Sequence, residues 1–344
     1  MYYFCTYFDH KFLPRGLALH ESLTDHCPSF RLWVLCLDPL AHDALCQLNL
    51  PNLCPIALKD FENEDEELLS AKRNRSRIEY YFTCTPSLPL YVFNHNPEVD
   101  LITYLDADLY FFGDPKPIFE EMTNKSVAIT EHRFPDHRRE IMEVYGLYNV
   151  GWLSFRRDGT ALDCLHWWRE RCLEWCHDHP AEGRFADQKY LDEWPSRFQR
   201  VVVIRQKGVN VAPWNMANYQ FRQVNDSILI DDDPLLLFHF HGLKQVVRTV
   251  YDPSFAMYQV RPSRTVVQRI YGPYLQSLSK AMLTVERFMP DNAIRTQTRY
   301  EMQISSSPKV SWLSFIGRQA KTIFGLFRGL LLRQYIWVIN GRTF

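Results

Sequence analysis

The run Leu101-Ile102-Thr103-Tyr104-Leu105 is followed by Asp106-Ala107-Asp108 and then by Leu109-Tyr110-Phe111-Phe112. Short apolar runs of this kind read as buried strands. Here the first strand ends on two carboxylates one residue apart. Ionised carboxylates beside a core are costly without a partner. A divalent cation is the natural partner, because hard oxygen ligands suit magnesium and manganese. Such ions are commonly held by few carboxylates together with a ligand's phosphates. The pattern therefore points to a metal–diphosphate, with a nucleotide-sugar as the leading candidate.

The surrounding sequence alternates strand-like and helix-like segments. Tyr2 to Phe8 reads as a strand. Pro14 then opens a helix carrying Leu17, Leu19 and Leu23, Pro being tolerated in a first turn. Arg31 to Leu37 is the next strand, and residues 40–48 the next helix. Alternation of this kind predicts an α/β fold, a mostly parallel sheet covered by helices. Loops after parallel strands share one edge, where ligands bind in open sheets. Asp9 and Asp106 both follow strands and are expected on that edge. Further on, the pattern predicts a helix from Arg77 to Phe93 and a strand at Val127 to Thr130. Tyr148 to Phe155 reads as a turn feeding a strand. A helix is expected over 160–177, strands at Val201 to Ile204 and Leu235 to Phe240, and a long helix from Arg264 to Phe288.

Composition sets limits. The 344 residues allow two domains, or one α/β domain with a tail, and 46% apolar content builds a sizeable core. A formal net charge of −1 argues against nucleic acid as partner. The nine cysteines are odd in number and scattered, which suits a reducing compartment. Cys172, Cys176 and His177 look superficially like metal ligands. The two cysteines share helical core spacing with Leu165, Trp168 and Trp175, so buried apolar thiols are expected. The strand-like start gives no expectation of a secretory leader, and no apolar stretch is long enough to span a bilayer. A cytoplasmic location is expected.

Two charged segments carry alternatives. The acidic run at residues 62–67 precedes Lys72, Arg73, Arg75 and Arg77. It suits a solvated helix face with charge pairs. Equally, Arg73 or Arg77 would reach phosphates. Residues 309–344 contain Lys309, Arg318, Lys321, Arg328, Arg333 and Arg342 among Trp, Phe and Leu, with no acidic residue. Such a tail suits a basic amphipathic helix lying on an anionic membrane surface, peripheral to the inner face. Packing on the body or on a second copy is the alternative. These shifts divide the chain at 1–260, 261–304 and 305–344.

Downstream of the paired aspartates come Asn149-x-Gly151, Asp187-Gln188, Asn210 to Asn215 with Pro213-Trp214, and Phe238-His239-Phe240-His241-Gly242-Leu243-Lys244. In that order and spacing, residues 2–245 resemble retaining glycosyltransferases of the GT-A type, particularly family 8. The resemblance implies a Rossmann-like GT-A domain, placed over 1–260, while the helical pattern and the composition shift give a helical extension over 261–304 and the basic tail after it. It implies Mn2+ or Mg2+, a nucleotide-diphosphate sugar as donor (UDP favoured), and a glycan or lipid-linked glycan as acceptor. Asp106 resembles the aspartate that touches metal and ribose, and Asp108 the firm metal ligand. The family's third ligand is a His three before a Gly, here His239 before Gly242. His241 points the same way along a strand and is the alternative. Lys244 resembles the lysine that neutralises the diphosphate, although it stands two rather than three residues after Gly242, without the family's Pro-Trp. Thr6, Tyr7 and Asp9 resemble the nucleotide-binding first strand, where Asp9 would accept the uracil N3–H. Asn149 resembles the residue near the donor sugar, Asp187 the one bonding sugar hydroxyls, and Gln188 the one beside the anomeric carbon.

Taken alone, Asp187-Gln188 also suits a helix N-cap after Gly183, and His239 with His241 a satisfied core pair. Loss of a nucleoside diphosphate develops negative charge, which a metal and cations stabilise. No second carboxylate pair is obvious as nucleophile and acid, which suits retention with the leaving phosphate accepting the proton. The competing expectations are an inverting enzyme with Glu131 or Asp187 as base, a sugar nucleotidyltransferase, and a non-catalytic nucleotide-sugar-binding protein. The single glycine in the loop Asp9 to Gly16 ranks the nucleotidyltransferase low.

Overall fold

The structure is a computed structural model, and it describes residues 1–247, 249–288, 334–339 and 342–344. A seven-stranded sheet organises the chain. Its strands in chain order are β1 (Tyr2–Phe8), β2 (Phe30–Cys36), β3 (Leu53–Ala57), β4 (Leu101–Leu105), β6 (Val127–Glu131), β7 (Tyr148–Arg156) and β8 (Val201–Val203), and β5 (Leu109–Phe111) lies outside it. The spatial order is β3-β2-β1-β4-β7-β6-β8. The chain moves outward through β1, β2 and β3, then returns to place β4 on the other side of β1. Strands β1 to β4 are parallel, β7 runs antiparallel between β4 and β6, and β8 is parallel to β6. The crevice between β1 and β4, at their carboxyl ends, is the topological switch point where open α/β sheets bind ligands.

Local sequence accounts for the elements. Helix α1 (Leu13–His26) starts with Pro14 in its first turn. Asp38 caps the Pro39–Leu48 helix by accepting from the Ala41 N–H, and Asn49 ends it in the left-handed conformation. The expected single helix from Arg77 to Phe93 is two, Arg77–Cys84 and Ser87–His95. Pro86 stands at the break, where it has no N–H to continue the ladder. The expected turn at Tyr148 is instead the start of one continuous strand, because β7 is paired on both edges. Alternate residues of β1 and β2 enter opposite cores. Phe4, Phe8 and Val34 face α1, while Cys5, Trp33 and Leu35 face the helices on the other side.

A third core lies beneath the site. Strand β5 pairs antiparallel with Leu237–His239, setting His239 opposite Leu109. Phe238 and Phe240 pack there against Tyr271 and Tyr274. The long helix expected after Arg264 is a π-wound turn, Val266–Tyr271, followed by the Gly272–Val285 helix. The latter packs on α1, where Lys280 and Ser277 both bond Glu21. The acidic run is largely absorbed by charge pairs, Arg169 holding Asp65 at 2.6 Å and Glu67 at 2.8 Å. Cys172 and Cys176 are fully buried in a core with Leu165 and Trp168.

Most of the expected amphipathic tail, residues 309–333, lies outside the described residues. Its end departs from the helical expectation. Ile336–Ile339 and Arg342–Thr343 are strands that extend a small sheet from Val250–Asp252. The β-branched run Ile336-Trp337-Val338-Ile339 suits a pleated, half-buried strand. No helix among the described residues is long and apolar enough to cross a membrane.

Candidate functional site

The carboxyl ends of β1, β4 and β6 open into a cavity of about 560 Å³. The motif after β4 forms its floor. The Asp106 N–H donates to the Gly151 carbonyl on β7 at 3.1 Å, and the Phe240 N–H donates to the Asp108 carbonyl at 2.9 Å. These two bonds fasten the Asp106–Asp108 turn between strands remote in sequence. Asp108 Oδ1 lies 3.0 Å from His239 Nε2, and Asp106 Oδ2 lies 3.6 Å from it. Ligand atoms of Asp108, His239 and His241 all fall within 4.8 Å of one another. Both histidines offered by the sequence therefore join one cluster, with Asp106 at its edge. One carboxylate and two imidazoles form a borderline donor set that suits manganese or another divalent first-row ion. Among the described residues this is the one such group.

Gly151 makes the cluster possible. A Cβ there would lie 2.6 Å from Asn149 Oδ1 and 3.0 Å from His239 Nδ1. Trp214 fixes the other side, its ring 5.0 Å from that of His239 and 5.3 Å from that of His241. The indole N–H donates to the His132 carbonyl. Burial and the neighbouring Asp108 charge push the Asp106 carboxyl above the ordinary carboxylate range, against the pull of His239. Asp108 moves the opposite way: the His239 ring, in charge and hydrogen bond, outweighs burial and holds it well below the ordinary carboxylate range.

The expected sugar-side residues meet on the same wall. Asn149 Nδ2 donates to Gln188 Oε1 at 3.2 Å, and Gln188 Nε2 donates to the Tyr145 carbonyl at 2.7 Å. The Gly151 N–H donates to Asn149 Oδ1. The amides of Asn149 and Gln188 are thus oriented before any ligand arrives. Asp187 is buried, and desolvation raises its carboxyl to about 7. The residue before it, Ala186, has φ of 47°, a strained region for a residue with a Cβ.

The nucleotide-side expectations divide. Tyr7 and Asp9 line the cavity. Asp9 accepts the Lys11 and Phe12 backbone N–H groups and pairs with Arg77 at 2.8 Å. Arg77 is committed to Asp9 and, at 3.6 Å, to Asp38, and it is not part of the cavity wall. Thr6 is fully buried inside the sheet and also off the wall. Gly242 turns the chain with φ of 71°, where a Cβ would meet Ser254 Oγ at 2.8 Å. Lys244 starts the exposed strand Lys244–Val247 and is absent from the wall. Glu131, one of the two bases considered for inversion, ends β6 but does not line the cavity.

Sequence reasoning missed His132, Phe134, Arg138 and Tyr258, all on the wall. His132 is buried, stacks on Phe134 with ring centroids 4.8 Å apart, and approaches Asn149 Nδ2 at 3.4 Å. Desolvation lowers its imidazole to about 3, so it is neutral at physiological pH. A signal was available: Glu131-His132-Arg133-Phe134 follows a strand just as Asp9 and Asp106 do.

No protein-family model matches the chain. Two curated proteins of Bacillus subtilis (strain 168) do. YfnF is 36% identical over 296 residues, covering 82% of this chain and 94% of its own length. YfnD is 30% identical over 294 residues, covering 85% and 93%. Both are described as uncharacterized proteins. The chain belongs to the family of YfnF and YfnD. Similar solved structures include the galactosyltransferase LgtC in complex with donor and acceptor sugar analogs (TM-score 0.48, 16% identity, 70% of this chain and 87% of that one). Another is the glycosyltransferase GlyE of Streptococcus pneumoniae TIGR4 (TM-score 0.46, 14% identity, 88% and 66%).

Proposed function

We propose that the chain is a metal-dependent glycosyltransferase of the GT-A type, with residues 1–260 as its catalytic domain. It would transfer a hexose from a nucleotide-diphosphate sugar, UDP favoured, to a glycan or lipid-linked glycan, with retention of anomeric configuration. The observation that carries the reading is the Asp108–His239–His241 cluster at the switch point of the sheet, with Asp106 beside it. Asp108 and the two histidines would hold Mn2+ or Mg2+, which when bound neutralises charge on a leaving diphosphate.

The chain's own residues supply the rest. Asp9, held by Arg77 and two backbone N–H groups, presents a fixed acceptor to a base or ribose. Asn149 and Gln188 form a pre-oriented amide pair, which favours one sugar pose. Asp187, whose carboxyl burial raises to about 7, would donate to or accept from a sugar hydroxyl. Aromatic walls from Phe134, Trp214 and Tyr258 offer apolar faces to sugar rings and exclude water. Contact of residues 309–344 with an anionic membrane surface would bring a lipid-linked acceptor near, and sedimentation with phosphatidylserine vesicles would test it.

The deciding experiment follows release of nucleoside diphosphate from a panel of nucleotide-sugars, with and without Mn2+, for wild type and Asp108→Asn. Metal-dependent release from one donor, lost in the variant, is expected. No release from any donor would overturn the reading. Loss of the donor's anomeric configuration in the product would overturn retention alone.

A further inference from the structure

The cavity wall carries five carboxylates, Asp9, Asp106, Asp108, Asp178 and Asp187, and a single guanidinium, Arg138. Arg138 sits where the turn Asp136–Arg138 meets the helix Arg139–Tyr145. Neither element has a buried residue, yet Phe134, Arg138, Ile141 and Tyr145 all face the cavity. The segment is a cover whose inner face is apolar apart from this one charge.

The Arg138 side chain is only partly used. Nη2 donates to the Met257 carbonyl at 3.0 Å, and the guanidinium lies 5.7 Å from the Tyr258 ring centroid. Nη1 is buried and has no hydrogen-bond partner. Arg138 forms no ion pair among the described residues, whereas its neighbour Arg139 pairs with Asp136. A guanidinium carries five donors in a planar fork, and among the described residues only the Met257 carbonyl accepts from this one, although the side chain lines the cavity. Tyr258 leads back to the cluster, its ring 6.4 Å from Trp214, which contacts His241. Arg138 thus stands with Tyr258 and Trp214 on the cavity wall.

We infer that Arg138 binds an anionic substituent, a carboxylate or a phosphate, carried by the acceptor sugar. The inference rests on the glycosyltransferase reading and narrows its acceptor. Aromatic faces hold a ring of any sugar, so they do not discriminate charge. A guanidinium fork matches a planar carboxylate or a phosphate in two parallel bonds. Away from the metal cluster, Asp9 and Asp178 on the same wall disfavour an anion seated beside them, which adds selection against misplacement. A merely structural Arg138 would only pin the cover to the Met257 carbonyl.

Binding of three probes to the full chain, with Mn2+ and UDP present, separates these roles. The probes are methyl β-glucuronide, glucose 1-phosphate and methyl β-glucoside, followed by tryptophan fluorescence. Wild type is expected to bind one charged probe at least tenfold more tightly than the glucoside, and whichever charged probe wins identifies the anion. Arg138→Gln is expected to remove the preference without weakening the neutral probe, and Arg138→Lys to keep part of it. No charge preference in wild type, or an intact preference in Arg138→Gln, overturns the inference. Equal weakening of all three probes in Arg138→Gln also overturns it, since that is the signature of pinning. Donor hydrolysis by wild type is measured alongside. Hydrolysis without charge preference removes this inference alone, while no hydrolysis of any donor removes the glycosyltransferase reading and this inference with it.

Discussion

The two ends of the cavity are built differently. The floor, Asp106 to Asp108 with His239 and His241, lies on strands and on turns fastened to strands by backbone bonds. The cover, Phe134 to Tyr145, is built of a short turn, Asp136–Arg138, and a short helix, Arg139–Tyr145, neither with a buried residue. The floor concentrates charge that needs a partner, and the cover offers apolar faces and one guanidinium. Rigid elements hold reacting groups within tight geometric limits, while lightly packed segments open at low free-energy cost. The contrast teaches that, in the proposed enzyme, chemistry and selection would fall to separate parts: the floor would hold the reacting groups, and the cover would face what enters.

The largest effect should come from attacking the floor directly. Asp108→Asn removes a charged donor from the cluster. Metal-dependent turnover is expected to fall by about 10³-fold or more, read by diphosphate release. An unaffected rate would place the chemistry elsewhere in the cavity.

Asp187 tests whether the wall between the two ends is tuned by burial. Its carboxyl is raised from the ordinary 3.8 to about 7 by desolvation. The protonated form is therefore favoured in the folded state. Its stabilising contribution is complete below pH 3.8 and is lost as pH rises through about 7. The span is at most about 4 kcal/mol. Urea unfolding at pH 4, 5.5, 7 and 8 should show this decline in wild type and a flatter profile in Asp187→Asn. Parallel profiles would show that Asp187 is not held protonated.

Gly151→Ala attacks the floor through its packing. The added Cβ would lie 2.6 Å from Asn149 Oδ1, too close for a real side chain, and 3.0 Å from His239 Nδ1, a contact that requires the ring to shift. Stability should fall by about 1–3 kcal/mol, and Mn2+ affinity by about 10- to 100-fold as His239 is displaced. Thermal melting and metal titration read the two effects separately. A stability loss without a metal effect would mean that His239 is not a ligand.

The smallest effect belongs to Ala186→Gly. Relief of the left-handed strain and the extra unfolded-state freedom of glycine nearly cancel, so stability should change by less than about 1 kcal/mol. Turnover should fall modestly as Asp187 and Gln188 lose their fixed pose. Unchanged turnover would show that the strain does not position them.

Much of the site was legible in the sequence because it is made of local motifs. Asp106-Ala107-Asp108 announced itself by two carboxylates between apolar runs. Tyr7, Asp9, Asn149, Asp187, Gln188 and His239 all reach the cavity. His241, kept as an alternative ligand, stands in the cluster beside His239, from the turn that follows the strand Leu237–His239 rather than from the strand itself. What was not legible depends on partners far along the chain. Arg77 was expected to reach for phosphate, and its pairing with Asp9 and Asp38 depends on how three separate loops converge. The wall position of His132 and Arg138 depends on the path of a segment with no periodic pattern. The strands at the end of the basic tail exist because an edge at Val250–Asp252 was open to them.

The sequence by itself determined the alternating α/β plan, the two core faces of the sheet and the residue types at the strand ends. Side-chain period and turn chemistry are local properties, so they can be read from neighbours along the chain. Only the tertiary structure decided which strand ends meet. The antiparallel insertion of β7 beside β4 set Gly151 against His239, and the pairing of β5 with Leu237–His239 set two histidines beside Asp108. Register between remote strands follows from burial of their shared faces and from backbone hydrogen bonds that no local pattern specifies.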